Sequence, residues 1–217
     1  PVLAVAAYVV LLFAAPILVS LAAAASRAHG PMLDRGGFIL SLMLVQHGML
    51  VAAAFWFLGA IASRDRRESL GLVAVTPIEV ARAVGLAFAL IAVAVVTTHF
   101  IKDVSVTPMG QLVERVPVRF AIAFGALLAP FSEELFFRGV LYGAFAKRWA
   151  WLGVVASVLI FTASHALQLS GAAIGLIPIA SVAVVNGVLR ARTGGITQPW
   201  IVHTVYNFTL SLGLYFG

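Results

Sequence analysis

Long, uninterrupted apolar stretches run through nearly all of this 217-residue chain and leave it few folds to choose from. Crossing about 30 Å of hydrocarbon takes roughly 20 apolar residues in a helix, and in lipid only helices and closed barrels satisfy their own backbone. The stretches lack the alternation of a barrel strand, so helices are expected. They read as Val2 to Ala25, Gly37 to Ala62, Pro77 to Ile101, Phe120 to Lys147, Trp149 to Leu167, Gly171 to Leu189 and Ile196 to Tyr215. The fold class is therefore all-α: a polytopic membrane helix bundle of about seven transmembrane helices, forming one membrane domain over residues 1–217. Thr76, Pro77 and Glu79 stand where an N-cap, an N1 proline and the acid of a capping box belong. Pro130 should kink the fourth helix near its middle.

Composition agrees. The chain is 62% hydrophobic and 10% charged, with a mean hydropathy of +1.07, whereas about 25% charge is usual in a soluble domain. The net charge of +6 does not indicate a nucleic-acid partner, because the basic residues are scattered singly between apolar blocks. The expected surroundings are the lipid bilayer, as an integral, multi-pass protein of a bacterial inner (plasma) membrane. With no cysteine there is no disulfide, thiol nucleophile or thiolate metal site. The sequence begins at Pro1 rather than Met, which leaves room for an N-terminal piece and bars a signal-peptide reading.

Short connections rich in Lys and Arg mark the cytoplasmic side. The even-numbered ones hold Arg64, Arg66, Arg67, Arg82, Arg138, Lys147, Arg148, Arg190 and Arg192, nine in all. The odd-numbered ones hold five: Arg27, Arg35, Lys102, Arg115 and Arg119. The even-numbered connections are thus expected to be cytoplasmic.

A charge at the bilayer centre costs about 2.5 to 3.5 kcal/mol on insertion scales, so an intramembrane ion is a functional hypothesis by default. Asp34, Asp65, Asp103, Glu68 and Glu114 fall in expected connections and Glu79 in a first helical turn, which leaves Glu133 and Glu134 as the acids deep in an apolar block. Positions four apart share a helix face, so Glu134 can pair with Arg138 while Glu133 points about 100 degrees away. One acid is neutralised; the other is left to act as a base. Phe161 and His165 share a face in the same way, and so do His203 and Asn207. Acid, imidazole and amide groups converging from three helices can activate a water and stabilise an oxyanion.

The blocks Glu133-Glu134-x-x-x-Arg138, Phe161-x-x-x-His165 and His203-x-x-x-Asn207 resemble, in order, the three motifs of the CAAX-protease and bacteriocin-processing family (CPBP, also called Abi). These intramembrane glutamate proteases include the eukaryotic type II CAAX prenyl endopeptidase (CAAX prenyl protease 2), lysostaphin resistance protein A-like proteins and bacteriocin self-immunity proteins. The stretch Asn186 to Gly195 also looks like its family counterpart, and the resemblance covers roughly residues 120–212 as a catalytic core. It implies an endopeptidase acting on a membrane-associated or prenylated protein or peptide. Glu133 and His165 would polarise the attacking water, His203 and Asn207 would support the oxyanion, and Glu134, Arg138 and Phe161 would organise the site. Neither metal nor other cofactor is implied. The four catalytic side chains are expected to line one cavity open to the cytoplasmic side.

Plainer roles compete at several positions. A lone buried histidine is more often a packing residue, which keeps His47, beside Gln46, and His99 out of the site. Asn207 could serve only as an interhelical hydrogen bond, and Glu133, Glu134 and Arg138 only as a structural ion cluster. Trp149, Trp151 and Trp200 read as lipid-facing anchors or core, and Gly139-x-x-x-Gly143 as a close helix approach. Glu133, His165 and His203 could also ligate zinc with an open position; a glutamate and a histidine activate water without one, so the metal-free version is preferred. The alternative function is a proton-coupled transporter or a non-proteolytic bacteriocin-immunity protein using Glu133 and His165 as a relay.

Overall fold

The structure is a computed structural model and describes residues 1–27, 35–61, 71–100, 117, 120, 122–166 and 173–216. Its helices are α1 (Val2–Arg27), α2 (Arg35–Ile61), α3 (Pro77–Thr98), α4 (residues 123–145), α5 (Ala150–Ala166), α6 (Leu176–Thr193, entered through a 3₁₀ turn at Ala173–Gly175) and α7 (Thr197–Phe216). No strand occurs among the described residues, and the all-α expectation holds. Leu40–Leu58, Pro77–Thr97 and Ala173–Thr193 are long and apolar enough to cross a membrane, judged by length and composition. Ile101, Leu167 and Gly171 lie outside the described residues, as do Asp34, Asp65, Glu68, Asp103, Glu114, Arg64, Arg66, Arg67, Lys102, Arg115 and Arg119.

The polarity of the bundle is inverted relative to a soluble domain. Leu159 and Val96 are each 63% exposed, whereas Glu134 and Arg138 are 0% exposed. Outward apolar side chains suit hydrocarbon, and charges that face the bundle interior can be paired there. Two apolar clusters hold the helices together. Tyr8, Leu50, Phe57, Phe136, Phe137 and Phe161 join α1, α2, α4 and α5; Ala87, Leu90, Val182, Val202 and Tyr206 join α3, α6 and α7. Ala183 belongs to the first cluster and its neighbour Val182 to the second, so α6 is the seam between them.

Helix α3 starts as its sequence dictates. The Thr76 hydroxyl accepts the Glu79 backbone N–H while Glu79 Oε2 accepts the Thr76 N–H at 2.8 Å, with Pro77 in the first turn. Gln198 of α7 donates to Glu79 Oε1 at 3.2 Å. Just upstream, the Gly71 carbonyl accepts the Ile196 N–H at 2.6 Å and the Val73 carbonyl accepts the Thr197 hydroxyl at 2.7 Å. A Cβ at Gly195 would lie 2.7 Å from Val73, so only glycine lets this segment clamp the turn from which α7 begins.

Helix α4 is continuous but not uniform. Wide π-type turns at Ala123–Leu128 and Glu134–Leu141 flank the α-helical Ala129–Glu133, and Tyr142–Phe145 closes it. Pro130 has no N–H to donate and cannot continue an ordinary ladder. The chain widens before it, and the Ala129 N–H reaches Phe124 five residues back.

The Gly139-x-x-x-Gly143 expectation is not met. A Cβ on Gly143 would find nothing within 4 Å, and one on Gly139 only Leu135 of its own helix at 4.0 Å. The close approaches lie at Gly153, where a Cβ would meet Tyr142 of α4 and Ala146 just after it at 2.8 Å, and at Gly187, where it would meet Val154 of α5 at 3.2 Å. An i, i+4 glycine spacing shows that two helices can come close, not that a neighbour occupies that face.

Candidate active site

Glu133 and Glu134 stand where the α turn of α4 gives way to the second wide turn, and their surroundings differ sharply. Glu134 Oε1 accepts from Arg138 Nη1 at 3.1 Å, Asn186 Nδ2 at 2.9 Å and His203 Nδ1 at 2.8 Å. Arg138 in turn donates from Nη2 to the Ala183 carbonyl at 3.0 Å, and its own carbonyl accepts from Arg190 Nε at 2.9 Å. Ala183, Asn186 and Arg190 recur at helical spacing, so one face of α6 is stitched along α4. The expected pairing of Glu134 with Arg138 is present, and with both side chains fully buried its partners must come from the protein. Arg138 therefore does not count among the loop charges.

Among the described residues, Glu133 lacks such partners at hydrogen-bonding distance. Its nearest imidazole nitrogens are His203 Nε2, 3.7 Å from Oε2, and His47 Nε2, 4.0 Å from Oε1. Both separations exceed a direct hydrogen bond. The carboxylate is 14% exposed and lines a cavity of about 580 Å³. Adjacent glutamates on one helix thus divide as the i, i+4 rule indicates.

The partners of each imidazole fix its tautomer. His165 donates from Nδ1 to the Phe161 carbonyl at 2.9 Å, which leaves the Nε2 lone pair as an acceptor. The Phe161 ring lies 4.4 Å from the His165 ring, with the Arg138 guanidinium 4.8 Å over it and Phe137 edge-on at 4.9 Å. Phe161 thereby ties His165 to the ion pair. His203 donates from Nδ1 to Glu134, so its Nε2 can donate only when the ring carries a second proton.

Asn207 is held by the irregularity of α4. Its Nδ2 donates to the Gly125 carbonyl at 2.8 Å. In the wide-turn register the backbone donor for that carbonyl would be residue 130, which is proline. Asn207 supplies the missing donor, so the interhelical bond considered from the sequence exists. Its second amide hydrogen remains for another acceptor.

Glu133, His165, His203 and Asn207 all line the one cavity, with Phe161, Ser164, Tyr8 and Gln46 among its other walls. Much of the lining comes from Met43 to Leu50 of α2, Ile91 to Val95 of α3, and Gly175 to Val182 of α6.

His47 corrects the sequence reading. Set aside as a packing residue, it lines the cavity beside Glu133. Asn186 was read only within a family-like stretch, yet it bonds Glu134. A polar pair, Gln46-His47, in an otherwise apolar span was the available signal for the first; a buried amide in α6 was the signal for the second. His99 caps the end of α3 against Phe100 and is not part of the cavity lining. Trp149 and Trp151 are exposed at the start of α5, while Trp200 packs edge-on against Phe131 at 5.2 Å. Among the described residues, no three His, Asp or Glu side chains are arranged to hold a metal ion.

Residues 115–209 match the family model described as type II CAAX prenyl endopeptidase Rce1-like. That segment agrees with the CPBP resemblance of the three motifs. It takes in α4 to α6 and most of α7, and leaves α1 to α3 outside. An Escherichia coli protein described as an uncharacterized 24.3 kDa protein is 33% identical over 94 residues, 42% of this chain and 41% of that protein; the chain thus spans well under half the length of the curated relative it matches. No solved structure matches.

Proposed function

We propose that this chain is an intramembrane endopeptidase of the CAAX-protease type, a single multi-pass domain of a bacterial inner membrane with its catalytic core at residues 120–212. It would hydrolyse a peptide bond in a membrane-associated or prenylated protein or peptide. The observation that carries this reading is the inequality of the two glutamates: Glu134 is held through Oε1 by Arg138, Asn186 and His203, while Glu133 faces the cavity with imidazoles at 3.7 and 4.0 Å.

A water between Glu133 and His165 gives one proton to the Glu133 carboxylate and a hydrogen bond to the lone pair on His165 Nε2. Its oxygen attacks the scissile carbonyl carbon, and the carbonyl electron pair becomes an oxyanion. The second Nδ2 hydrogen of Asn207 and a protonated His203 Nε2 donate to that oxyanion. Such donors are worth about 10² to 10³ in rate each. Collapse breaks the C–N bond as Glu133 returns its proton to the leaving amine. Every proton is accounted for without a metal.

The test compares the termini of membrane peptides from cells carrying wild type or Glu133→Gln. Termini produced by wild type should fall about 10² to 10⁴-fold in the variant, with the amount of folded protein unchanged, and should persist when purified protein is exhaustively chelated. Equal termini in both strains would make the polar chain a proton relay instead. Loss on chelation that zinc alone restores would recast Glu133 and His165 as ligands.

A further inference from the structure

We infer that His47, from outside the segment that matches the protease family, is a positioning residue that holds Glu133 through its protonated state. The inference rests on the hydrolytic reading of Glu133. The Ser132 hydroxyl, fully buried, donates to the Ala129 carbonyl at 2.9 Å, so its lone pairs face His47 and accept the Nδ1 hydrogen at 2.5 Å. With the hydroxyl hydrogen on the Ala129 carbonyl, the contact is made by the tautomer that carries hydrogen on Nδ1 and a lone pair on Nε2. Phe124, edge-on at 5.0 Å, holds the ring plane. Nε2 lies 4.0 Å from Glu133 Oε1.

In that tautomer the Nε2 lone pair and a carboxylate oxygen have no hydrogen to share, and at 4.0 Å no hydrogen bond is formed. The arrangement becomes favourable once Glu133 has taken the proton of the attacking water. A hydrogen on Oε1 then lies between Oε1 and Nε2, and a movement of about 1 Å completes an ordinary hydrogen bond. His203 occupies the other side of the carboxylate, at Oε2. The two oxygens are therefore inequivalent: Oε1 is the one that holds the proton, and Oε2 faces the ring that serves the oxyanion. His47 exchanges no atom with substrate and acts only through Glu133.

Asparagine and glutamine separate the two ends of the ring. In His47→Asn the amide reaches the Nδ1 position against Ser132 but leaves Glu133 without an acceptor; in His47→Gln a polar atom returns to the Nε2 position. Both variants, with wild type and Glu133→Gln, are expressed in the same cells, membrane-peptide termini are quantified, and detergent-purified protein is melted. His47→Asn should lower the wild-type-specific termini about 10 to 100-fold, the usual cost of removing an orienting partner, at an unchanged melting temperature, and His47→Gln should recover most of that loss. Wild-type output from His47→Asn, or equal losses in the two variants, would overturn the inference and leave His47 a packing residue. Full output from Glu133→Gln would instead overturn the hydrolytic reading beneath it.

Discussion

Helices α3 and α4 are similar in length and largely apolar, yet one follows every local rule and the other breaks several. In α3 the capping box, the N1 proline and a long apolar run all specify the same helix, whose faces turn outward at Phe88, Val95 and Val96 or pack on the Val202–Tyr206 cluster. In α4 a proline interrupts the ladder, two wide turns replace ordinary ones, and a carboxylate and a guanidinium are buried at 0% exposure. Departures from local consistency are tolerated where neighbours over-determine the structure, and they concentrate at sites that do chemistry. Here the neighbours are specific: Asn207 supplies the hydrogen bond that Pro130 cannot, and α6 supplies three groups along the buried ion pair.

The sharpest way to break the contrast is Arg138→Ala. It strips Glu134 of its cation in a site without water access, and loss of one partner of a buried pair costs about 3 to 5 kcal/mol. Both the melting temperature and peptide cleavage should fall. Arg82→Ala, on the exposed face of α3, should leave both within error. If the two arginines behaved alike, the ion cluster would not be what holds α4 to α6 and α7.

Pro130→Ala probes the irregularity itself. A restored N–H competes for the Gly125 carbonyl and releases Asn207. Cleavage should fall about tenfold, less than outright loss of an oxyanion donor, while the melting temperature stays level or rises because proline no longer disfavours the helix. Unchanged cleavage would sever the link between the proline and Asn207.

Gly153→Ala places a methyl 2.8 Å from Tyr142 and Ala146, an overpacking expected to cost about 1 to 3 kcal/mol. Gly143→Ala meets nothing and should be neutral, and a thermal melt of each variant distinguishes them. A small effect is expected of Thr76→Ala. It removes one exposed cap from α3, should lower the melting temperature slightly, and should not touch cleavage; a large activity loss would mean that α3 takes part in the site's geometry.

What could be read from the sequence follows from distance along the chain. The α3 cap, the Glu134–Arg138 pair and the stacking of Phe161 on His165 are each completed within four residues, and each is present. The seven helices were visible because long apolar stretches mark lipid-facing or buried spans wherever they sit. His47 meets Ser132 across 85 positions, and Asn186 meets Glu134 across 52; no local pattern encodes either contact. The wide turns of α4 were foreshadowed only as a kink at Pro130, because their register depends on an amide from α7. The glycine approach was misplaced for a related reason: spacing on one helix says nothing of which neighbour passes by.

Glu134 Oε1 collects three donors from three residues, and that crowding restricts the alphabet of side chains the position can accept. Glutamine would offer an amide that donates as well as accepts, and in one orientation would turn N–H groups toward Arg138, Asn186 and His203. Aspartate would pull the acceptor back by one methylene and break whichever of the three contacts reaches farthest. An apolar residue would abandon an arginine, an amide and an imidazole together. Glu133 holds no such triple junction, so its replacement leaves the packing intact. Among variants that still fold, diversity should therefore be admitted at position 133 and refused at position 134: the residue proposed for the chemistry is the easier to replace, and its silent neighbour is the harder.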